Sequence, residues 1–243
     1  MKRAISTFLF LAACTLANAA EPDVLVKFFG HAGIGDKRSV YHGEMLKHYT
    51  DKPTLGQGLP SDVQATFRKL EESQFRSVYA VLLSDGHKSQ DWYAFLVKEN
   101  DRWKISAVRN LALPGVFHIA LQQLEQKKPR SEMEEWQYQN MLLTIKSDRE
   151  LKEYLKSNLA EFRNVVTLYS KGDKEHSDKM AKRLLINFIK DIDGTIEFNI
   201  GGIIDNAVGY LYVPPGSKPP TMDPSEFIYV EEIADGWYIY KTT

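Results

Sequence analysis

The hydrophobic pattern alternates between helical spacing and strand-like runs, and this order occurs in both halves of the chain. In the first half, positions 36–49 and 61–74 have helical spacing, and Ser61 followed by Gln64 has the arrangement of a capping box. Runs rich in Val, Tyr, Phe and Trp come next, separated by short polar segments, and favour strands. These predicted strands lie at 76–83, 91–98 and 103–111.

The second half repeats this order after a helix at 116–126 and the polar segment 127–130. Helical spacing then covers three segments, namely 131–145, 148–168 and 176–190. Strand-like runs follow at 195–200, 207–213, 227–232 and 237–241. The pattern predicts an α+β fold, with helices packed on curved antiparallel sheets, in two related helix-plus-meander halves. The expected domains are 20–128 and 129–243, and the similar apolar-turn-Trp patterns of 95–105 and 227–239 support a duplication.

The first nineteen residues have the pattern of a secretory signal peptide. Lys2 and Arg3 form a positive start, an apolar run follows to Ala13, and small residues around Ala19 suit signal peptidase. The apolar run is too short for a membrane-spanning helix, which needs about 20 residues. We therefore expect cleavage after Ala19, a periplasmic or secreted mature protein, and no transmembrane segment after cleavage.

The one cysteine, Cys14, leaves an alternative open. Positions 11–14 read Leu-Ala-Ala-Cys, which matches a lipobox, so Cys14 is a possible lipidation site and the protein a possible lipoprotein. Cleavage after Ala19 would instead remove Cys14 with the leader. The mature chain would then contain no cysteine, which excludes disulfides, thiol catalysis and cysteine-based metal sites.

Composition and charge indicate an ordinary globular protein. Hydrophobic residues make up 43% of the chain and charged residues 26%, which excludes general disorder. Loss of Lys2 and Arg3 with the leader lowers the number of basic residues from 31 to 29, whereas the number of acidic residues stays at 32. No basic stripe is present, so nucleic acid is not an expected partner.

Motifs for metals and common cofactors are missing from the sequence. His42 and His48 are six positions apart, whereas ligands on one helical face are three or four apart. No Gly-x-Ser-x-Gly motif occurs. The pair Gly33 and Gly35 has neither a preceding strand nor a third spaced glycine, so it does not indicate a dinucleotide site. We expect no metal site and no cofactor.

The segment around Asp205 and Asn206 is the most unusual part of the second half. Gly201 and Gly202 interrupt an apolar strand just before it, so the backbone must bend or approach a neighbour closely. A polar turn explains the pattern, and a pocket mouth where Asp205 and Asn206 bind a ligand is the functional alternative. The proline-rich segment 214–220 is either a recognition surface or a rigid connector.

The sequence from Asp91 to Ile105 resembles the nuclear transport factor 2-like, or ketosteroid isomerase-like, superfamily. It reads Asp-Trp-Tyr-Ala-Phe-Leu-Val-Lys-Glu-Asn-Asp-Arg-Trp-Lys-Ile, and the resemblance extends over 61–113 and more weakly over 176–243. It implies helices in the concave face of a strongly curved sheet and a conical pocket in the first domain. The residue types that isomerases of this kind use, tyrosines and carboxylates, occur beside the predicted strands at Tyr79, Asp85, Asp91 and Tyr93.

The functional expectation is an exported, non-catalytic binding or interaction protein. Asp85 and Asp91 fall at predicted turns or strand ends, where aspartate is commonly solvated, so we expect structural roles for them. Tyr79 and Tyr93 are retained as candidate ligand-binding residues. The alternative is a pocketed isomerase- or dehydratase-type enzyme that acts on a small apolar molecule. The expected partners are a small molecule or an envelope protein, with a homodimer as a further option.

Overall fold

The computed structural model describes residues 22–243. The predicted signal peptide, its cleavage site and Cys14 lie outside the described residues. The described chain has an α+β fold, in which helices pack on two antiparallel sheets of four and five strands.

The first sheet is a meander in which each strand pairs with the next along the chain. Its strands are β1 (Gln64–Glu72), β2 (Arg76–Ser84), β3 (Ser89–Glu99) and β4 (Arg102–Arg109). The β3–β4 hairpin turns through Asn100 and Asp101, which have positive φ angles of 50° and 60°. Positive φ at both turn residues matches the right-handed twist of the flanking strands, and it explains the polar pair between two apolar runs.

The predicted helix at 61–74 is wrong, because this segment forms β1. Its residues pair with β2 in antiparallel register, with Arg68 opposite Ala80. Residues 64–69 alternate between exposed and half-buried positions, which is the period of a strand with one covered face. The partner strand therefore overrides the capping-box pattern at Ser61 and Gln64.

Short helices cover one face of the first sheet. They are α1 (Asp23–Phe29), α2 (Lys37–Val40) and α3 (Gly43–His48), followed by a 3₁₀ helix at Leu55–Gly58. The predicted helix at 36–49 is interrupted because Tyr41 adopts extended backbone and bridges to Ile105 of β4. Apolar side chains of these helices and of the sheet form one core, which includes Leu25, Phe29, Met45, Leu96 and Ile105.

Five helices follow the first sheet. They are α4 (Gly115–Gln126), α5 (Glu132–Thr144), α6 (Asp148–Ser157), α7 (Leu159–Ser170) and α8 (Lys174–Arg183). Ser131 and Ser147 cap α5 and α6 through complete capping boxes, which fixes where these helices begin. The predicted helix at 148–168 is divided at Asn158.

The predicted helix at 176–190 ends early. It stops at Arg183, and Leu185 has a positive φ of 57°, which a continuing helix does not allow. The chain then enters β5 (Phe188–Ile192), so the apolar residues at 184–189 belong to a helix end and a strand.

The second sheet is not a simple meander. Its strands are β5, β6 (Thr195–Ile203), β7 (Asn206–Tyr212), β8 (Phe227–Ala234) and β9 (Trp237–Thr242), in the spatial order β5-β6-β7-β9-β8. The long connection between β7 and β8 carries the chain past one strand position. β9 then returns to fill that position, and it pairs with both β7 and β8.

A second core joins the two sheets. It contains side chains of the other face of the first sheet, of helices α5–α8 and of the second sheet. Phe162 of α7 contacts Phe198, Tyr210 and Trp237 edge-on, with ring centroids 5.4–5.6 Å apart. Within residues 22–243, both expected domains thus contribute side chains to one shared core. None of the helices within 22–243 has the length and apolar character needed to cross a membrane.

Candidate functional site

Two carboxylates and a lysine are buried together where the first sheet, α6 and the second sheet meet. Lys241 Nζ lies 2.7 Å from Asp148 Oδ1 and 3.6 Å from Asp91 Oδ2. The side chains of Asp91, Asp148 and Lys241 are 13%, 7% and 5% exposed. Because charged groups are rarely buried unless paired, these three form a coupled unit, which we call the buried triad.

Each member of the buried triad comes from a different element. Asp91 lies on β3, on the face of the sheet that also carries Tyr93, because side chains alternate along a strand. Asp148 is the first residue of α6, and its backbone N–H donates to Asp91 Oδ2 at 2.8 Å. Asp91 therefore places a negative charge at the start of α6, where the helix dipole favours it. Lys241 reaches the pair from β9.

Two buried tyrosines extend the buried triad into the core. Tyr93 donates its hydroxyl hydrogen to Asp148 Oδ1 at 2.8 Å. Its ring stacks on Tyr229 of β8, with centroids 4.8 Å apart and planes 18° from parallel. The Tyr229 hydroxyl donates in turn to Glu231. The tyrosines thus connect the buried triad to a second charged group.

The second charged group is centred on Glu231. Arg68 of β1 binds Glu231 through two guanidinium nitrogens at 2.8 and 2.7 Å. Lys152 of α6 lies 3.2 Å from both carboxylate oxygens. Bidentate arginine–carboxylate contacts are strong and directional, so this group holds β1, β8 and α6 together beside the buried triad.

The environment shifts the pKa values of several of these groups. Burial, and then the nearby charge of Asp148, raise the pKa of Asp91. Burial also raises the pKa of Tyr93 well above its usual range, with Asp148 and Asp91 adding to the effect. Burial opposes ionisation of Glu231, but hydrogen bonds from Arg68 and Tyr229 outweigh it and lower the pKa of that carboxyl.

A large cleft opens beside the buried triad. It has a volume of about 770 Å³, with Thr66, Ala80 and Leu82 of the first sheet along one side and the start of α6 along another. Both aspartates of the buried triad line it. Its basic side chains, which give it the name basic cleft here, are Arg68, His87, Lys88, Arg149 and Lys152.

A smaller cleft of about 410 Å³ lies on the other side of Asp91. Asp91 and Ser147 line both clefts, whereas Lys241 and His118 line only the smaller one. The contact between Asp91 and the start of α6 therefore borders both clefts.

The four candidate ligand-binding residues do not come together. Asp205 is exposed in the β6–β7 turn, next to Asn206 at the start of β7. The backbone carbonyl of Asp205 accepts a hydrogen bond from Thr242 Oγ1, which ties the turn to β9. Tyr79 packs in the core under the N-terminal helices, and Tyr93 packs in the core between the sheets. Of the four, Tyr93 alone contacts the buried triad.

The two aspartates of the first sheet have different environments. Asp85 lies in the β2–β3 turn and accepts the backbone N–H groups of His87 and Lys88 at 2.8 and 2.6 Å. This is the solvated turn position expected from the sequence. Asp91 differs from that expectation, because it lies within β3 and is mostly buried. The backbone N–H at the start of α6 and the Lys241 ammonium interact with the Asp91 carboxyl and offset the free-energy cost of its burial.

Sequence reasoning did not identify Asp148, Lys241, Arg68 or Glu231 as site residues. These residues come from α6, β9, β1 and β8, and they meet only through the packing of the two sheets. The only local signal is the serine at position 147 followed by Glu150, a capping box that places Asp148 at a helix start.

Nothing within 22–243 brings three or more histidine, cysteine, aspartate or glutamate side chains into a metal-binding group. Glu44, which lies four residues before His48, binds Arg109 through Nη1 (3.0 Å) and Nη2.

Comparisons of this chain with family models, with curated proteins and with solved structures found no match.

Proposed function

We propose that the protein is a non-catalytic binding protein that holds a small anionic molecule in the basic cleft. The observation that carries this proposal is the excess of positive charge in a cleft of ligand size. Arg68, Lys88, Arg149 and Lys152 line it together with His87. Its volume of about 770 Å³ falls in the range of about 300–1,000 Å³ that is typical of small-molecule sites.

Two of these cationic side chains are available to interact with a ligand. Within the part of the chain that the structure describes, Lys88 and Arg149 form no ion pair, and both are exposed. They lie in the β2–β3 turn and in the first turn of α6, on two different elements that border the cleft. A carboxylate or phosphate between them gains charge-assisted hydrogen bonds without breaking an existing pair.

The carboxylates of the cleft are already compensated. Asp148 is paired with Lys241 and accepts from Tyr93, and Asp91 accepts from the start of α6. Glu231 is shared by Arg68 and Lys152, which leaves one positive charge in excess within that group. The cleft therefore presents net positive charge to a ligand.

The sequence of the leader supports an extracytoplasmic site of action. A positive start, an apolar run of limited length and small residues near Ala19 together fit export. We propose that the mature protein acts in the periplasm or outside the cell as a soluble binder. Lipidation at Cys14 is the alternative, and the mass of the mature protein distinguishes the two.

Isothermal titration calorimetry of the mature protein tests the proposed binding. The probes are inorganic phosphate, succinate and citrate, with glycerol as an uncharged comparison. Replacement of Lys88 and Arg149 by Ala should weaken binding of the best anion at least tenfold, since each charge-assisted contact contributes about 1.5–3 kcal/mol. Lys171→Ala, an exposed change at the end of α7, is the matched control. Equal affinity in the double variant and the control would refute the proposal, as would no binding of any anion.

A second candidate function is a proton-transfer enzyme that acts on a small apolar molecule. The observation that favours it is Asp91, a mostly buried carboxyl with a raised pKa at the wall of two clefts. A carboxylate with a raised pKa is a better general base near neutral pH.

Deuterium incorporation from D₂O into cyclic ketones, followed by NMR, tests this second candidate. Asp91→Asn should abolish an exchange that the unmodified protein accelerates, while circular dichroism confirms that the variant is folded. Exchange at the same rate in both proteins would exclude Asp91 as the base.

A further inference from the structure

The first sheet has another cleft on its opposite face. Trp92 follows Asp91 along β3, so its side chain points to the face that the N-terminal helices cover. Beside Trp92 lies a cleft of about 540 Å³. We call it the apolar cleft, and its apolar walls are Phe28, Met45, Tyr49, Leu55, Trp92 and Val108.

The apolar cleft combines rigid and accessible surfaces. Phe28 and Met45 are buried members of the core, so the inner wall is fixed by packing. Tyr49, at the end of α3, is 37% exposed and places an aromatic ring at the opening. A concave site with aromatic and aliphatic walls is typical of sites for small apolar ligands.

The charged side chains at the rim are positive. Lys52 Nζ lies 4.5 Å from the centre of the Tyr49 ring, and it forms no ion pair within the described chain. Arg109 also lines the cleft, but Glu44 and the backbone carbonyl of Pro224 occupy its guanidinium group. The lining residues include no aspartate or glutamate side chain. Lys52 is therefore the charge available to a ligand.

Trp92 supplies a donor that the protein does not satisfy. Its indole Nε1–H has no hydrogen-bond acceptor among the described residues and is shielded from solvent. Buried polar groups in folded proteins are nearly always paired. The indole ring also lines the cleft, so its fluorescence reports on a bound ligand.

We propose that the apolar cleft is a binding site for an amphipathic monoanion, such as a medium-chain fatty acid or an aromatic carboxylate. The apolar part packs on Phe28, Met45 and Trp92, and the acid group lies beside the Lys52 ammonium. This site is separate from the basic cleft, because the sheet lies between them. The two sites take different ligands and can be tested independently.

Fluorescence titration with 1-anilinonaphthalene-8-sulfonate, followed by displacement with decanoate, tests the proposal. Decanoate should displace the dye, and decanol should do so at least fivefold less well, since it lacks the charge that Lys52 attracts. Lys52→Glu should weaken decanoate binding about fivefold to tenfold. Lys47→Glu, an exposed change on α3 outside the cleft, is the charge-matched control. Equal binding of decanol and decanoate would show that the cleft, which Thr243 also lines, does not select an anion.

Ala112→Trp provides a second test, because Ala112 is an exposed residue of the cleft rim. The added indole should reduce decanoate binding at least tenfold without a loss of thermal stability. Gln122→Trp, on the exposed surface of α4, controls for an added surface tryptophan. Unchanged binding in both Lys52→Glu and Ala112→Trp would overturn the proposal. Phosphate, the probe of the basic cleft, should not compete with decanoate, so failure of one site is distinguishable from failure of the other.

Discussion

Lys241 Nζ and Asp148 Oδ1 are 2.7 Å apart, and both side chains are almost completely removed from solvent. The pair joins β9 of the second sheet to the first residue of α6, which itself rests on β3 of the first sheet through Asp91. This ion pair and the hydrogen bond from the Asp148 backbone to Asp91 together link both sheets and a helix. Because removal of one partner leaves an uncompensated buried charge, this contact is a sensitive point of the fold.

Lys241→Met should destabilise the protein by about 3–5 kcal/mol, since it leaves Asp148 and Asp91 buried without their cation. Urea unfolding followed by tryptophan fluorescence measures the change. Lys27→Met, which breaks the exposed pair with Asp23, should leave the unfolding midpoint nearly unchanged. Similar midpoints for the two variants would show that the buried pair does not stabilise the fold in this way.

Tyr93→Phe should lower the free energy of unfolding by about 1.5–3 kcal/mol. The substitution removes the hydroxyl that donates to Asp148 but keeps the ring that stacks on Tyr229, and hydrogen bonds to charged groups contribute in this range. Tyr238 is a half-buried residue whose hydroxyl forms no hydrogen bond among the described residues, so Tyr238→Phe serves as the control. A smaller loss for Tyr93→Phe than for the control would contradict the assigned role.

The raised pKa of Asp91 predicts a specific pH dependence of stability. A carboxyl with a higher pKa in the folded state binds its proton more tightly there than in the unfolded chain. As pH rises from the ordinary value of 3.8 through the folded-state value, this group therefore lowers the free energy of unfolding. Asp91→Asn removes the effect, so the stability of the unmodified protein relative to Asp91→Asn should fall as the pH rises above 3.8.

Urea unfolding at several pH values measures this difference. Asp62→Asn, an exposed change before β1, gives the baseline for loss of a carboxylate. If the unmodified protein gains stability relative to Asp91→Asn as pH rises, the fold stabilises Asp91 as an anion. The raised pKa assigned to Asp91 is then wrong.

Glu231 should show the opposite sign. Its pKa is lowered in the folded state, so its contribution is fully present above the ordinary value of 4.5 and is lost as pH falls through the folded-state value. The stability of the unmodified protein relative to Glu231→Gln should therefore increase with pH. The same urea series tests this, and a flat difference would mean that Arg68 and Tyr229 do not select the ionised carboxyl.

Gly56→Ala should destabilise the packing of the N-terminal helices on the chain that follows them. A Cβ at position 56 would lie 2.3 Å from the Gly30 carbonyl oxygen and 2.4 Å from backbone atoms of Phe29. Backbone must move to relieve this contact, at a cost of about 1–3 kcal/mol. Gly58→Ala, in the same 3₁₀ helix with nothing within 4 Å, is the matched control. Thermal unfolding compares the two, and equal midpoints would contradict the close approach.

Much of the fold can be predicted from the sequence, because its strands carry strong local patterns. The runs around Val81, Phe95 and Tyr210 contain aromatic and β-branched residues, and each predicted strand there corresponds to an observed one. The prediction is wrong at β1, where pairing with β2 outweighs a plausible helix start at Ser61. It is also wrong at Phe188, where helical spacing of apolar residues coincides with a helix end and a strand.

The candidate site is much harder to predict. Asp91 and Tyr93 were identifiable by residue type, but their surroundings depend on Asp148 and Lys241, which lie 57 and 150 positions after Asp91. No local pattern encodes a contact between β3, the start of α6 and β9. Asp91 becomes buried only when the two sheets pack against each other. The local sequence alone does not distinguish a buried aspartate from a solvated one.

The position of β9 between β7 and β8 has a consequence for how the chain is made. A nascent chain that has emerged only as far as residue 236 lacks an internal strand of the second sheet, so β7 and β8 have no partner on their facing edges. It also lacks Trp237 and Lys241, and thus part of the shared core and the only cation of the buried triad. The second sheet can therefore close only after residues 237–242 have been synthesised.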